Sequence, residues 1–314
     1  MLKWIARMAG SADRVERRRE PAGAVLVLNK PCEIEDFSNP ELAAVMREIF
    51  PAEASADPAW PRGHEWRKHW ENSMAVLAML RELPPERRRL ALGVGAGTEA
   101  TSFYLTHHFR FVFATDLYAR FTQWKEWAPW NMLFQPEFYA QSTPFLRNRL
   151  VVQNMDARRI EHEDETFDFV YSSSSIEHVG LRDEIQQAAR EMGRVLKPGG
   201  VMAISTEICV EGRPGWLNGA TLVLSPADIR ELIIAPSGCE PVDGPCFLIS
   251  ETTLSSPVLH DENEREYGRL RHNMQKGFSH YPQLVLCQEG RCWTSYHLTL
   301  KKPQPYLAAI NSSC

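Results

Sequence analysis

The sequence predicts an α/β protein built on a doubly wound, mostly parallel sheet with helices on both faces. Three observations predict this fold class. Short, nearly continuous apolar runs recur between residues 90 and 206, and such runs are typical of strands buried on both faces. Segments with apolar residues at helical spacing separate several of them. A glycine-rich turn follows the first run, and open α/β sheets bind ligands at the carboxyl ends of their strands.

The elements follow one another in a regular order. The predicted strands are LALGVG (90–95), FVFATD (111–116), LVVQN (150–154), FDFVYS (167–172) and VMAIST (201–206), then PCFLIS (245–250) and SYHLTL (295–300). The predicted helices are PELAAVMREIF (40–50), WENSMAVLAMLREL (70–83) and LRDEIQQAAREMGRVL (181–196). Pro84-Pro85 ends the second helix and KPGG ends the third. Alternating strands and helices predict βαβ units and therefore a mostly parallel sheet.

The composition restricts the class of protein. The 314 residues carry a formal net charge of −5, so no basic field gathers nucleic acid, and we expect no nucleic-acid partner. No apolar stretch approaches the roughly 20 residues that span a bilayer. The seven cysteines are scattered and form no Cys-x-x-Cys pair, which predicts no metal site and favours reduced thiols in a cytoplasmic protein.

Residues 1–60 are predicted to be an N-terminal extension, partly helical, before a main domain over 61–314. The extension begins MLKWIARMAGSADRVERRRE, a short apolar face followed by arginines. Two interpretations stay open. The segment is either a terminal helix that frays or packs on itself, or a weak interfacial helix contacting anionic membranes.

The turn ALGVGAGTEA (91–100) has the composition of a ligand-binding loop. Gly93, Gly95 and Gly97 allow a ligand to approach the backbone, although an ordinary strand-to-helix turn explains such glycines as well. Asp116 ends the next strand, where a carboxylate accepts hydrogen bonds from ribose hydroxyls or caps the following helix. Asp156 follows the third strand and is either an acceptor for an adenine amino group or a surface turn residue.

Together these motifs resemble a class I S-adenosylmethionine-dependent methyltransferase. The glycine loop, Asp116, NMDARRI, FDFVYSSSSIEHV and EMGRVLKPGGVMAIS occur in that family's order over residues 88–206. The last two motifs argue against nicotinamide dehydrogenases. The resemblance implies a seven-stranded sheet whose last strand is antiparallel, and S-adenosyl-L-methionine as the cofactor.

The resemblance also assigns roles to single positions. It places Gly95 and Gly97 beside the methionine half of the cofactor, and Asp116 on the ribose. Asp156 with Ala157 would meet the adenine edge, and Ser173 with Ser174 would border the sulfonium.

The sequence departs from the family pattern at two places. Gly93 stands where the family usually has an acid, and Glu99 stands where it usually has a glycine. Glu99 would therefore supply the carboxylate for the cofactor's amino group, or simply complement the dipole of the helix it begins.

Two residues are candidates for the catalytic base. His178 follows the fourth strand, near the expected reaction centre, and neutral histidine is a natural base at pH 7. The alternative is that His178 orders its loop and lines the cofactor pocket. Glu207, after the fifth strand, is the second candidate.

Two long connections are candidates for the acceptor side. Residues 117–149 form an aromatic insert whose rings either stack on a sugar or ring substrate or pack as a subsidiary core. Its aromatic residues include Phe121, Trp124, Trp127, Trp130, Phe134, Phe138 and Tyr139. Residues 252–290 are predicted as a polar helix with loops that closes over the site; the histidines there lack metal-ligand spacing.

The sequence thus predicts a methyltransferase that acts on a small molecule, sugar or glycan, with oxygen as the acceptor atom. The alternative is a methyltransferase-like binding or scaffold protein without turnover, suggested by the departures at Gly93 and Glu99. The sequence predicts no oligomeric state.

Overall fold

A mixed β-sheet forms the centre of the molecule. The computed structural model describes residues 13–18, 26–119, 125–140, 142–217, 219–255, 257–259 and 282–304. The strands within these ranges are β1 (Glu16–Arg18), β2 (Lys30–Pro31), β3 (Leu90–Val94), β4 (Phe111–Asp116), β5 (Leu150–Asn154), β6 (Phe167–Ser173), β7 (Leu196–Glu211), β8 (Gly215–Leu217), β9 (Thr221–Val223), β10 (Glu240–Pro241), β11 (Leu248–Ser250), β12 (Pro257–Leu259), β13 (Val285–Gln288) and β14 (Arg291–Lys301).

Helices and turns connect the strands. The α-helices of the same ranges are α1 (Pro40–Ile49), α2 (Pro51–Ala56), α3 (Arg67–Glu82), α4 (Ala100–Tyr104), α5 (Arg182–Val195), α6 (Pro226–Asp228), α7 (Ala235–Ser237) and α8 (Glu251–Leu254). A π-helical stretch, Ile229–Ile234, joins α6 to α7. The 3-10 turns are Ile34–Ser38, Pro85–Arg87, Leu105–His107, Trp130–Leu133, Pro136–Tyr139, Arg147–Arg149 and Ile176–His178. The helices predicted near residues 40, 70 and 181 are confirmed as α1, α3 and α5.

The strand order confirms the predicted fold class. Strands β5, β4, β3, β6 and β7 lie side by side and parallel, and β14 follows β7 in the antiparallel direction. Parallel strands place their carboxyl ends at one edge of the sheet. The ends of β3, β4, β6 and β7 therefore meet where the sequence predicts the ligand site.

Helices cover both faces of the sheet, as predicted. Successive residues of a strand point to opposite faces. Ala91 and Phe169 belong to the core that contains α1 and α3, whereas Leu92 and Val170 belong to the core that contains α5. Each face thus buries its own apolar layer.

The predicted strand at 245–250 does not join this sheet, which is a correction. Within this segment only Leu248–Ser250 forms a strand, β11, which pairs in parallel with β1 in a separate two-stranded sheet. One edge of β14 pairs with β7. Along the other edge, β2, β10 and β13 each pair with part of the strand, so β11 has no partner residues there. Together with β12, which pairs with β13, these short strands bring the main sheet to ten strands in the described part of the chain.

Part of the N-terminal extension packs into the main core. Phe37 and Met46 are buried in the same apolar cluster as Trp70. Lys30 is buried against Asp36, whose other oxygen accepts a hydrogen bond of 2.8 Å from the Trp70 indole. The domain boundary at residue 60 stays a prediction.

Two other predictions concern segments that are only partly described. The predicted terminal helix falls largely on residues outside the described ranges, and the end of its segment that is described forms strand β1. The middle of the predicted lid-like segment 252–290, with His260, His272 and His280, also lies outside them, and the described ends of the segment form α8, β12 and β13. In the described ranges, no helix is both long and apolar enough to cross a membrane.

The prediction of reduced thiols is wrong for one pair of cysteines. Cys287 and Cys292 form a disulfide across the hairpin of β13 and β14. The two residues are direct partners in the register of that hairpin, which brings their sulfur atoms together. The sequence spacing alone, with four residues between the cysteines, matches no motif that signals a disulfide.

We expect the double variant C287S/C292S to lower the free energy of unfolding by about 2 kcal/mol, because the disulfide closes a short loop and restricts the unfolded chain modestly. Urea unfolding of the oxidised protein and of the variant measures the difference. Wild-type protein kept in dithiothreitol is the matched control and should unfold like the variant. Equal stability of all three samples would contradict a stabilising disulfide.

Candidate active site

The glycine loop lies between β3 and α4, and its geometry requires glycine. Gly95 and Gly97 have φ values of 64° and 46°, in the left-handed region that favours glycine. A Cβ on Gly95 would lie 1.7 Å from the Ser175 hydroxyl, and one on Gly97 would lie 2.7 Å from the carbonyl oxygen of Trp127. Ser175 and Trp127 therefore pack so closely against the loop that only glycine fits at these two positions.

Asp116, at the end of β4, is hydrogen-bonded to this loop. Its carboxylate accepts hydrogen bonds from the backbone N–H of Gly97 at 2.9 Å and of Leu117 at 2.6 Å. Burial raises the pKa of Asp116, and the two N–H groups partly offset this. The structure therefore brings Asp116 and Gly97 together, the juxtaposition that the sequence suggested.

Gly93 lacks a side chain for a packing reason. A Cβ there would lie 2.6 Å from the ring and the hydroxyl of Tyr171 on the neighbouring strand β6. The Tyr171 hydroxyl is held in place by Ser102, 2.5 Å away in α4. The buried phenol thus fills the space that a side chain at position 93 would need.

Glu99 directs its carboxyl group into the interior beside β6. It occupies the N-cap of α4, yet its side chain makes no capping hydrogen bond. Its Oε2 is buried without a hydrogen-bond partner among the described residues. Burial raises the pKa of Glu99 well above its usual value, while Lys68 lowers it. The missing cap argues against a purely helix-stabilising role.

The end of β6 presents two further polar atoms without partners. The hydroxyl oxygens of Ser173 and Ser174 are both buried and, within the described ranges, make no hydrogen bond. Ser174 also has a φ of 46°, which is unusual for a residue other than glycine. Buried polar groups normally have partners, so a group of orphaned atoms indicates a place for a polar ligand.

Asp156 and Ala157 lie in the turn after β5. Both oxygens of Asp156 accept hydrogen bonds from the Arg158 guanidinium, the shortest of them 2.6 Å. Arg158 lowers the pKa of Asp156 and keeps it ionised. Ala157 packs against the core on the α5 face. An adenine amino group would therefore have to bind the Asp156 carboxylate together with the Arg158 guanidinium.

A network of charges that the sequence did not reveal lies beside these strand ends. Arg67, at the start of α3, donates to Glu207 at 2.5 Å and to Glu71 at 3.1 Å. Lys68 pairs with the other oxygen of Glu71 at 2.9 Å, and the Ser295 hydroxyl donates to Glu71 as well. Burial alone would raise the pKa of Glu71, but Lys68 and Arg67 lower it below its usual value.

Glu177 follows β6 and is completely buried. Its Oε2 accepts a hydrogen bond of 3.0 Å from the Thr206 hydroxyl, whereas its Oε1 has no hydrogen-bond partner in the part of the chain that is described. Burial and the charge of Glu207 raise the pKa of Glu177 to about 8. Glu177 is therefore protonated at neutral pH.

His178 is oriented by the loop that follows β8. Its Nδ1 lies 2.9 Å from the carbonyl oxygen of Ala220, which can only accept, so Nδ1 carries the proton. Nε2 then holds the lone pair. Burial lowers the pKa of His178, so the imidazole is neutral at pH 7. The imidazole is therefore neutral, and the hydrogen bond to Ala220 fixes its tautomer.

The network offered only a weak sequence signal. Glu71 interrupts the apolar pattern of α3, between the buried Trp70 and the buried Asn72. An acid inside a buried helix face indicates a buried partner. The partners, Arg67 and Ser295, are not identified by any local motif.

The aromatic insert divides into buried and exposed parts. Ala128 and Met132 are buried in the same apolar cluster as Trp70, so this part of the insert packs onto the main core. The rings of Trp127, Phe134 and Phe138 are 49%, 65% and 76% exposed. Phe121 and Trp124 lie outside the described residues. The exposed rings leave the stacking interpretation open.

The described ranges contain no group of three or more histidine, cysteine, aspartate or glutamate side chains arranged to hold a metal ion.

The sheet order and the loop at its carboxyl edge define a Rossmann-like α/β domain. The family model described as "Methyltransferase domain" matches residues 92–204. Residues 92–204 therefore match a methyltransferase domain, and the matched segment runs from strand β3 and the glycine loop to strand β7.

Solved structures resemble the chain more distantly. The YcgJ protein of Bacillus subtilis is 14% identical, with a TM-score of 0.47, over 76% of this chain and 100% of that chain. An S-adenosylmethionine-dependent methyltransferase of Methanosarcina mazei is 13% identical, with a TM-score of 0.43, over 72% and 97%. An N-methyltransferase of Haemonchus contortus, solved with S-adenosylhomocysteine, is 16% identical, with a TM-score of 0.46, over 91% and 62%.

We expect the free energy of unfolding to fall as the pH rises from 4.5 to about 8, in part because of Glu177. Folded protein keeps this carboxyl protonated up to about pH 8, whereas the unfolded chain releases the proton near pH 4.5. The variant E177Q stays neutral in both states and should lose less stability over that range. Urea unfolding at several pH values measures the slope.

The exposed Glu86 provides the matched control, since E86Q should follow the wild-type curve. Parallel curves for wild type and E177Q would show that Glu177 titrates normally.

Proposed function

We propose that the chain is an S-adenosyl-L-methionine-dependent methyltransferase that methylates a hydroxyl group of a small molecule or sugar. The observation that carries the proposal is the glycine loop together with the orphaned polar atoms around it. Gly95 and Gly97 give the loop its left-handed turns beside Asp116, and Glu99, Ser173 and Ser174 offer buried oxygens next to it.

The residues at the loop fit the cofactor. S-adenosyl-L-methionine supplies a methyl group on a cationic sulfur. Glu99 would hold the amino group of its methionine half, since its buried Oε2 makes no hydrogen bond to the described residues and gains most from a cation. Asp116 would accept from the ribose hydroxyls, and Ser173 and Ser174 at the end of β6 would line the sulfonium. Asp156 fits the adenine less well because Arg158 occupies its carboxylate.

His178 is the preferred base for the acceptor hydroxyl. Its Nδ1 is committed to Ala220, so Nε2 is the atom that would take a proton from an acceptor hydroxyl. Glu207 is the weaker candidate, because one of its oxygens already accepts a hydrogen bond from Arg67.

The exposed aromatic side chains support a sugar or ring acceptor. The carbonyl oxygen of Trp127 lies against Gly97, so the insert borders the cofactor loop. Exposed rings at such a position can stack on the apolar face of a sugar.

A scaffold that binds the cofactor without turnover is the second candidate. It was suggested by the exchange of acid and glycine at positions 93 and 99. Tyr171 gives Gly93 a packing reason, and Glu99 provides a buried acid near the same loop, so the exchange is compatible with an intact site.

We expect wild-type protein to bind both S-adenosylmethionine and S-adenosylhomocysteine, and Asp116→Ala to abolish binding of both. The variant E99Q should weaken binding by about tenfold, because a hydrogen bond to a charged group is lost. Isothermal titration calorimetry measures the affinities, with E86Q as the control. No binding by the wild type would refute the proposed function, and normal affinity of Asp116→Ala would refute the ribose contact.

We expect His178→Ala to keep its affinity for S-adenosylhomocysteine and to lose methyl transfer by about a hundredfold or more, as is typical when a general base is removed. A panel of hydroxylated acceptors with radiolabelled cofactor measures the rate. An unchanged rate would exclude His178 as the base. Cofactor binding by the wild type with no turnover on any acceptor would favour the scaffold.

A further inference from the structure

Lys68 lies in the first turn of α3, at the end of that helix which is bonded to α4. Asn72, one turn further along the same face of α3, donates a hydrogen bond of 2.8 Å to the Lys68 carbonyl oxygen. The Asn72 side chain also accepts two hydrogen bonds from Thr101, at 3.1 Å from its N–H and 2.7 Å from its hydroxyl. Thr101 is two residues after Glu99, the N-cap of α4. These bonds hold Lys68 and Glu99 at the same end of the site.

The charge of Lys68 acts on the acids of this site. Burial raises the pKa of Glu99, and Lys68 opposes that rise. Burial is also the main cause of the pKa shifts at Glu177 and His178, and Lys68 lowers both pKa values. The ammonium is therefore near enough to the ends of β3 and β6 to exert an electrostatic effect on each.

Lys68 can be reached from solvent and can donate further hydrogen bonds. An ammonium has three N–H donors. Among the described residues, its acceptor is Glu71, at 2.9 Å. The Lys68 side chain is 32% exposed, whereas the Glu71 side chain is completely buried. Glu99 is partly exposed as a residue, although its Oε2 is buried. A ligand that enters from solvent can therefore meet both Lys68 and Glu99.

The charges around Lys68 are balanced before a ligand binds. Glu177 is protonated at neutral pH, so two carboxyls, Glu71 and Glu207, face two cations, Arg67 and Lys68. A ligand that suits such a balanced group brings one cation and one anion together. The amino acid end of S-adenosyl-L-methionine is a zwitterion of this kind. Arg67 also contacts Glu71, at 3.1 Å, so Glu71 keeps a cation when Lys68 binds a ligand.

We propose that Lys68 binds the carboxylate of the cofactor's amino acid end, while Glu99 binds the ammonium on the same carbon. The inference rests on the proposed function and adds to the cofactor site a residue from a helix outside the matched segment. Arg67 is less suited to this contact, because it already binds two glutamates and a serine. The helices α3 and α4 thus each recognise one of the two opposite charges.

The test compares two ligands on the full chain by isothermal titration calorimetry. One is S-adenosylhomocysteine, and the other is its decarboxylated analogue, which keeps the adenosine and the ammonium but lacks the carboxylate. We expect the wild type to bind S-adenosylhomocysteine about tenfold more tightly than the analogue, the effect of one hydrogen bond between charged groups.

The variant K68M should weaken binding of S-adenosylhomocysteine by about tenfold, because the carboxylate loses its cation. Its affinity for the analogue should stay within about twofold of the wild type, since the analogue has no group for Lys68 to bind. K68R keeps the cation and should retain most of the affinity for S-adenosylhomocysteine. If K68M does not fold, K68Q takes its place.

K301M is the matched control. Lys301 is also a partly exposed lysine that pairs with a glutamate of α3, Glu82 at 3.4 Å. It lies opposite Val201 in the register, far along the sheet from the carboxyl edge. K301M should bind both ligands like the wild type, whereas E99Q should weaken both ligands alike, because both carry the ammonium.

Three results would overturn the inference: equal binding of the two ligands by the wild type, an unchanged affinity of K68M for S-adenosylhomocysteine, or an equal loss for both ligands in K68M. The last result would show that Lys68 supports the site without meeting the carboxylate. Failure of the wild type to bind S-adenosylhomocysteine would instead overturn the proposed function itself, so the two failures are distinguishable.

Discussion

The arrangement of the site depends on one constraint: several carboxyls are buried at the carboxyl edge of the sheet with fewer cations than acids. Burying an unpaired carboxylate is costly, so each acid must be paired, protonated or left for a ligand. Glu71 is paired, since Arg67 and Lys68 lower its pKa. Glu177 is protonated at neutral pH, and Glu99 has an oxygen without a partner among the described residues. One edge of the sheet thus holds acids in three different states.

The parallel topology is what brings these acids together. Glu99 and Glu177 follow β3 and β6, and parallel strands end at the same edge. Glu207 lies within the adjacent strand β7, not after it as the sequence suggested, because β7 continues to Glu211. Helix α3 contributes Arg67 and Lys68 from a segment outside the matched domain. The charge of the site is therefore set jointly by the strand ends of the methyltransferase domain and by a helix that precedes it.

The sequence predicted the fold better than the site. Apolar runs and helical periodicity are local signals, and they located β3 to β7 and the helices α1, α3 and α5. The edge of the sheet was harder, because β2, β10 and β13 are short and come from distant parts of the chain. Likewise, the disulfide between Cys287 and Cys292 depends on the register of a hairpin, which no cysteine spacing specifies.

Gly93 and Glu99 show why a departure from a family pattern needs the structure for its interpretation. In sequence, a missing acid at 93 looked like a lost contact. In the structure, Tyr171 occupies the space beside Gly93, and its hydroxyl lies against Ser102, three residues after Glu99. An acid at 93 would have to displace a buried phenol, whereas one at 99 extends from a loop that has room for it. The position of the acid is therefore a consequence of how β6 packs against β3.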